Sequence, residues 1–194
     1  MHSGLHWESP SSRLVLRAVL DVLAERGYHG LTLEAVALRA GAAAEALDDS
    51  ADLDELVITA LSGVELFGVP PATGSLRGDL RALLSPWRNP RTADEMAVAA
   101  VLSAAEWHAP LKDAAKRALD RPLAQALGTL LSRERDVPQS ALQTLNWLLR
   151  ALALDRLRSG SRSAVDLDAL ADFLVAGLEH QAAAALGEDG GRSS

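Results

Sequence analysis

The sequence predicts an all-α fold, and three observations carry that prediction. Apolar residues make up 48% of the 194-residue chain, enough for a hydrophobic core, and most are Ala and Leu, both strong helix formers. Aromatic residues are only 4% and β-branched runs are scarce, which removes the usual material of strands. Apolar positions also recur at helical spacing, first at Leu14, Val15, Ala18, Val19, Val22 and Leu23.

These residues place a first helix from a cap at Ser11 or Ser12 to about Arg26, ended by Gly27. Thr32 can cap a second helix through Arg39, with Leu33, Val36 and Ala37 facing inward. Gly41 marks a tight turn, and a short third helix is expected from about Ala43 to Asp49. Asp52 and Glu55 have capping-box spacing, so a fourth helix is expected over Leu53–Leu66. The segment Gly68–Ser75, with two prolines and two glycines, reads as a hinge or linker.

Beyond it, helices are expected at about 76–85, 92–107, 111–132, 138–158 and 166–186. Thr92 and Glu95 form a second capping box, and Pro122 predicts a kink or break. The resulting division is a three-to-four-helix bundle over 11–67 and a larger helical domain over 76–186, with flexible tails at 1–10 and 187–194.

Charge is divided unevenly. Residues 1–67 hold four basic and eleven acidic side chains, which accounts for the whole net charge of −7. Residues 68–194 hold fifteen of each sign. There is no cysteine, so disulfides and thiolate metal sites are excluded. Met1–Pro10 lacks the pattern of a signal peptide, and the apolar run Ala97–Ala105 is far too short to span a bilayer, so a cytoplasmic protein without membrane contact is expected.

The segment Arg13–Leu66 resembles the N-terminal domain of the TetR family of bacterial transcriptional regulators. The residues that carry the resemblance are Glu25-Arg26-Gly27-Tyr28, Gly30-Leu31-Thr32, Val36-Ala37 and Ala40-Gly41, without gaps. It covers about a quarter of the chain and implies a helix-turn-helix followed by a larger helical domain that binds ligands and dimerises. Arg13, Arg17 and Arg39 are the basic residues able to reach a phosphate. Thr32 is either a phosphate contact or a simple cap, and the cap needs no DNA.

The resemblance breaks after Gly41. Where the family has a serine cap, a glycine, a tyrosine, a phenylalanine and a lysine, this chain has Ala43, Glu45, Asp48, Ala51 and Asp54. With Asp49, Asp52 and Glu55, six acids fall within eleven residues, and Gly41–Glu65 contains no Lys or Arg. Capping explains Asp52 and Glu55. It does not explain the whole cluster, whose members repel one another and the phosphate backbone.

The resemblance further implies an effector pocket in the C-terminal region, with Trp87, Trp107, His108, Asn146 and Trp147 as candidates, although each tryptophan is as readily a core filler. Leu142, Leu145, Leu149 and Leu152 line one late helix, and Leu170, Phe173, Leu174 and Leu178 the other. Arg150, Arg156 and Arg158 line the first helix, and Asp166, Asp168, Asp172 and Glu179 line the second; the plainer reading is an intramolecular hairpin. The resemblance favours two such hairpins pairing into a homodimer. No metal-ligand spacing, cofactor motif or catalytic constellation is present, so no enzyme is expected.

The leading expectation is a homodimeric TetR-like protein that does not bind operator DNA in the usual way and acts through a small-molecule effector or a protein partner. Two alternatives stand beside it. One is a working ligand-responsive repressor with an atypical reading head. The other is an acidic decoy for a basic protein.

Overall fold

The computed structural model describes residues 9–48, 50–104, 108–133, 139–159 and 166–189, with side chains as far as 180 in the last stretch. Among the described residues there are eight α-helices and no strand: α1 (Pro10–Arg26), α2 (Leu33–Ala40), α3 (Leu53–Ser62), α4 (Leu76–Leu84), α5 (Ala93–Ala104), α6 (Ala109–Leu131), α7 (Gln139–Ser159) and α8 (Leu167–Asp189). None of the helices is long and apolar enough, within the described residues, to cross a membrane.

The described residues up to Leu66 form one unit with Arg91–Ala118, and Phe67–Pro90 forms the other with those from Leu119 onward. In the first unit, α1 packs against α2, α3 and α5. Its core holds Val15, Val19, Val22 and Leu23 of α1, Val36 of α2, Leu56, Val57 and Leu61 of α3, and Ala97, Val98 and Val101 of α5, each nearly solvent-free. The segment 91–118 carries four basic and four acidic residues, so the whole charge imbalance stays in this unit. In the second unit, α8 packs on α4 and α7.

Local chemistry sets most helix starts. Ser9 accepts from the Ser12 amide and Pro10 occupies the first turn, so α1 starts earlier than the expected Ser11 or Ser12 cap. Ser9 and Pro10 therefore belong to a helix rather than to a tail, and residues 187–189 continue α8. The rest of both expected tails lies outside the described residues. Thr92 and Glu95 form the expected reciprocal box: the Glu95 amide donates to Thr92 Oγ1 at 3.1 Å and the Thr92 amide to Glu95 Oε2 at 2.8 Å. Asp52 caps α3 by accepting from the Asp54 amide, not through the expected box with Glu55.

The break that Pro122 could have made does not occur. α6 runs unbroken through Pro122, whose ring is buried. A proline inside a helix costs about 3 kcal/mol. Leu119, Leu123 and Leu130, each 1% exposed, offset it at about 1.5–3 kcal/mol per buried side chain. The segment Gly68–Ser75, the expected hinge or linker, lies outside any helix and is tied down by side chains. The buried Asp79 carboxylate accepts from the Thr73 amide and hydroxyl, both at 2.7 Å, and from Arg133, which also donates to the Pro70 carbonyl. A Cβ on Gly78 would meet Thr73 Oγ1 at 2.1 Å, so only glycine lets the strap lie this close to α4.

Candidate functional site

The surface at which the resemblance would put DNA recognition is built from α1, α2, the segment after Gly41 and the start of α3. Thr32 caps α2 by accepting from the Ala35 amide at 3.1 Å. Gly41 follows with φ 58°, a conformation that excludes most side chains. In place of the expected third α-helix at Ala43–Asp49 stands a 3₁₀ helix, Gly41–Ala46. No side chain caps its start, and Asp48 accepts from both the amide and the hydroxyl of Ser50 at 2.9 and 2.7 Å. A carboxylate that closes a local turn in this way competes with helix formation.

The basic candidates face carboxylates. Arg17 donates to Asp21 at 2.9 Å and to Asp94 of α5 at 2.6 Å. Arg39 binds Glu25 and lies 3.9 Å from Asp21. The Arg39 bond holds the Glu25 carboxyl below its ordinary range. Exposed pairs of this kind are worth about 0–1 kcal/mol each, so pairing alone does not bar a phosphate. The larger obstacle is that the unit supplies no Lys or Arg between Gly41 and Glu65. Arg13 is exposed on α1.

The acidic residues do not form one uniform face. Glu45 and Glu55 are exposed. Asp48 is held below the usual carboxylate range, first by the Ser50 amide and then by its hydroxyl. Asp52 is consumed as a cap, and Asp49 lies outside the described residues. Ala51, at a position where an aromatic anchor was expected to be missed, is half-buried.

Asp54 turns inward to two partners that spacing did not reveal. The Tyr28 hydroxyl donates to Oδ1 at 2.5 Å, and His108 Nε2 lies 3.1 Å from Oδ2. Burial first, then the bond to Asp54, pushes the Tyr28 phenol up to about 12. On its other side, His108 Nδ1 accepts from the Leu111 amide at 3.4 Å, which makes His108 the cap of α6. One carboxylate thus joins the turn before α2, the start of α3 and the start of α6.

The five pocket candidates have different surroundings. Trp87 is buried in the second unit with its ring edge-on to Phe67, 5.7 Å between centroids. Asn146 is exposed on α7, as is Trp147 at 68%. His108 belongs to the first unit, and Trp107 lies outside the described residues. Within the second unit, therefore, Trp87 is a core side chain while Asn146 and Trp147 face solvent.

Of the interface candidates, Leu145, Leu149, Leu174 and Leu178 are buried inside their own unit. Leu142, Leu152 and Leu170 are half-buried, and Phe173 is 69% exposed.

The charged residues that line α7 and α8 find partners on other segments. Arg150 donates to Asp120 of α6, and the buried Arg156 donates to the carbonyls of Trp87 and Asn89. Asp168 and Asp172 of α8 pair with Arg77 and Arg81 of α4 and with Arg88 of the 3₁₀ turn Ser85–Arg88. Sequence gave no sign of these partners, because each pair joins segments far apart in the chain.

Among the described residues no group of three or more His, Asp or Glu side chains could hold a metal ion. No protein-family model matches the chain, and no curated protein matches it either.

Proposed function

We propose that this chain is a homodimeric TetR-like regulator homologue that does not grip operator DNA in the usual way and works through a small-molecule ligand or a protein partner. The observation that carries the reading is the state of the surface after Gly41. It has no basic residue as far as Glu65, and its first turns are 3₁₀ rather than α. Affinity for a duplex comes largely from Lys and Arg neutralising phosphates. Arg17 and Arg39 would first have to leave Asp21, Asp94 and Glu25, inside a unit of net charge −7. The fold supports the broader half of the reading, since a small helical bundle and a second helical unit suit the resemblance of Arg13–Leu66.

A mobility-shift assay at low salt against the DNA upstream of the chain's own coding region tests the proposal. No shift is expected at protein concentrations up to the micromolar range. Specific, salt-sensitive binding by the isolated protein overturns it.

A further inference from the structure

We infer that the exposed ridge of α6 is a docking surface for a second copy of this chain, which meets it with the outward acids that follow α2. The contact uses none of the residues of α7 and α8, so it does not rest on the reading above.

Helical spacing builds the ridge. Asp113, Arg117, Arg121 and Gln125 recur at every fourth position on one face of α6, and all four are exposed. Lys112 and Lys116, each half-buried, lie beside it. Asp120 is already matched by Arg150, whose Nε donates to it at 2.5 Å. Lys112, Lys116, Arg117 and Arg121 then stand against Asp113 alone, a local charge of +3 in a chain of net −7. None of these four cations has a carboxylate at ion-pair distance among the described residues. Arg17, Arg39, Arg77, Arg81, Arg88 and Arg133, by contrast, all pair with carboxylates.

The opposite imbalance lies around α2. Glu34 and Leu38 share its outward face, and Leu38 is 78% exposed. Ala42, Glu45 and Asp48 follow, also exposed. Arg39 is taken up by Glu25, and no Lys or Arg occurs from Gly41 to Glu65. Carboxylates around an apolar side chain suit Arg and Lys, whose alkyl stems lie on apolar surface while their heads stay polar.

Each copy thus carries cations short of acids on one surface and acids short of cations on another. Unlike surfaces meet, so the contact is heterologous and adds copies head to tail. Exposed ion pairs are individually weak, which makes the association reversible and salt-dependent. The net charge of −7 on each copy opposes it at long range. At about 0.1 M salt the Debye length is about 10 Å, which screens distant repulsion more than pairs in contact.

Sedimentation equilibrium of the full chain tests the contact. Between about 0.1 M and about 1 M sodium chloride, where the Debye length shrinks to about 3 Å, the constant for adding a copy is expected to fall by about tenfold or more. Pairing through an apolar face has no charge to screen and would not show this fall. Arg117→Glu with Arg121→Glu takes the net charge from −7 to −11, and Glu45→Lys with Asp48→Lys takes it to −3. Both chains are expected to lose the salt-dependent association, although one repels itself more and the other less. All four substitutions together restore −7 with the charges exchanged, and association is expected to return. A mass in the unaltered chain that does not change with salt overturns the proposal, and that measurement needs no variant. So does association that survives in either doubly substituted chain, or that fails to return in the fourfold one while helical circular dichroism is unchanged.

Discussion

Tyr28 donates to Asp54 Oδ1 at 2.5 Å across 26 positions of sequence, joining the turn before α2 to the first turn of α3. The acid at position 54 is therefore a partner within the bundle as well as a missing positive charge. It separates two kinds of acidic residue in one short stretch, those bound inward and those facing water.

Asp54 and Asp48 should accordingly respond differently to truncation. Asp54→Ala leaves the Tyr28 hydroxyl without its acceptor and removes the His108 pair. The expected loss is about 1–3 kcal/mol in urea unfolding. Asp48→Ala removes only an exposed turn contact, so a change within about 0.5–1 kcal/mol is expected. Equal losses would show that the inward network contributes nothing.

Charge reversal at the outward positions should create DNA affinity. A chain carrying Glu45→Lys and Asp48→Lys removes two repulsive charges and adds two cations on exposed positions. Non-specific duplex binding is expected to rise, and each new phosphate contact to steepen the salt slope by about 0.9. Fluorescence anisotropy over a salt series reads both. An unchanged slope would mean that this surface does not meet the duplex at all.

The strap at Gly68–Ser75 should release in acid. Thr73 is the main cause that holds the Asp79 carboxyl below its ordinary range; burial opposes the shift, and Arg133 adds to it. A depressed folded pKa means that this stabilisation is complete above the unfolded carboxylate value and is lost as pH falls through the folded one. Asp79→Asn is expected to be less stable than the unaltered chain at pH 7. The gap should narrow in thermal melts as pH drops below the usual carboxylate range. A gap independent of pH would place the effect in packing instead. Gly78→Ala should also destabilise the strap at every pH, because its Cβ collides with Thr73.

Arg156 should be hard to replace. It is 3% exposed and donates to the carbonyls of Trp87 at 2.9 Å and Asn89 at 3.2 Å, closing the end of the 3₁₀ turn. Arg156→Met keeps most of the volume but leaves both carbonyls without that donor. A loss of about 2–3 kcal/mol is expected, read from tryptophan fluorescence during unfolding.

Self-association, if it follows the proposed reading, should depend on exposed residues of α7 and α8 rather than on their buried leucines. Trp147→Asp and Phe173→Asp are expected to halve the sedimenting mass while helical circular dichroism stays unchanged. An unaltered mass in the double variant removes this face from the interface.

What the sequence determined by itself is mostly local. Thr32, and Thr92 with Glu95, act within three or four residues of themselves, so the caps they make were legible from spacing alone. The helical class was legible for the same reason, because Ala and Leu at a 3.6-residue period leave little else to form.

Only tertiary structure decided which charges are spent. Arg17 meets Asp94 only because α5 packs against α1, and Asp168 meets Arg81 and Arg88 only because α8 packs on α4. The helix expected after Gly41 gave way to a 3₁₀ turn, and Pro122 failed to break α6, since both outcomes depend on what the segment packs against. Periodicity reports which side of a helix is apolar. It cannot report which distant carboxylate meets a given guanidinium, because an ion pair is fixed by the positions of two backbones and not by the spacing within either.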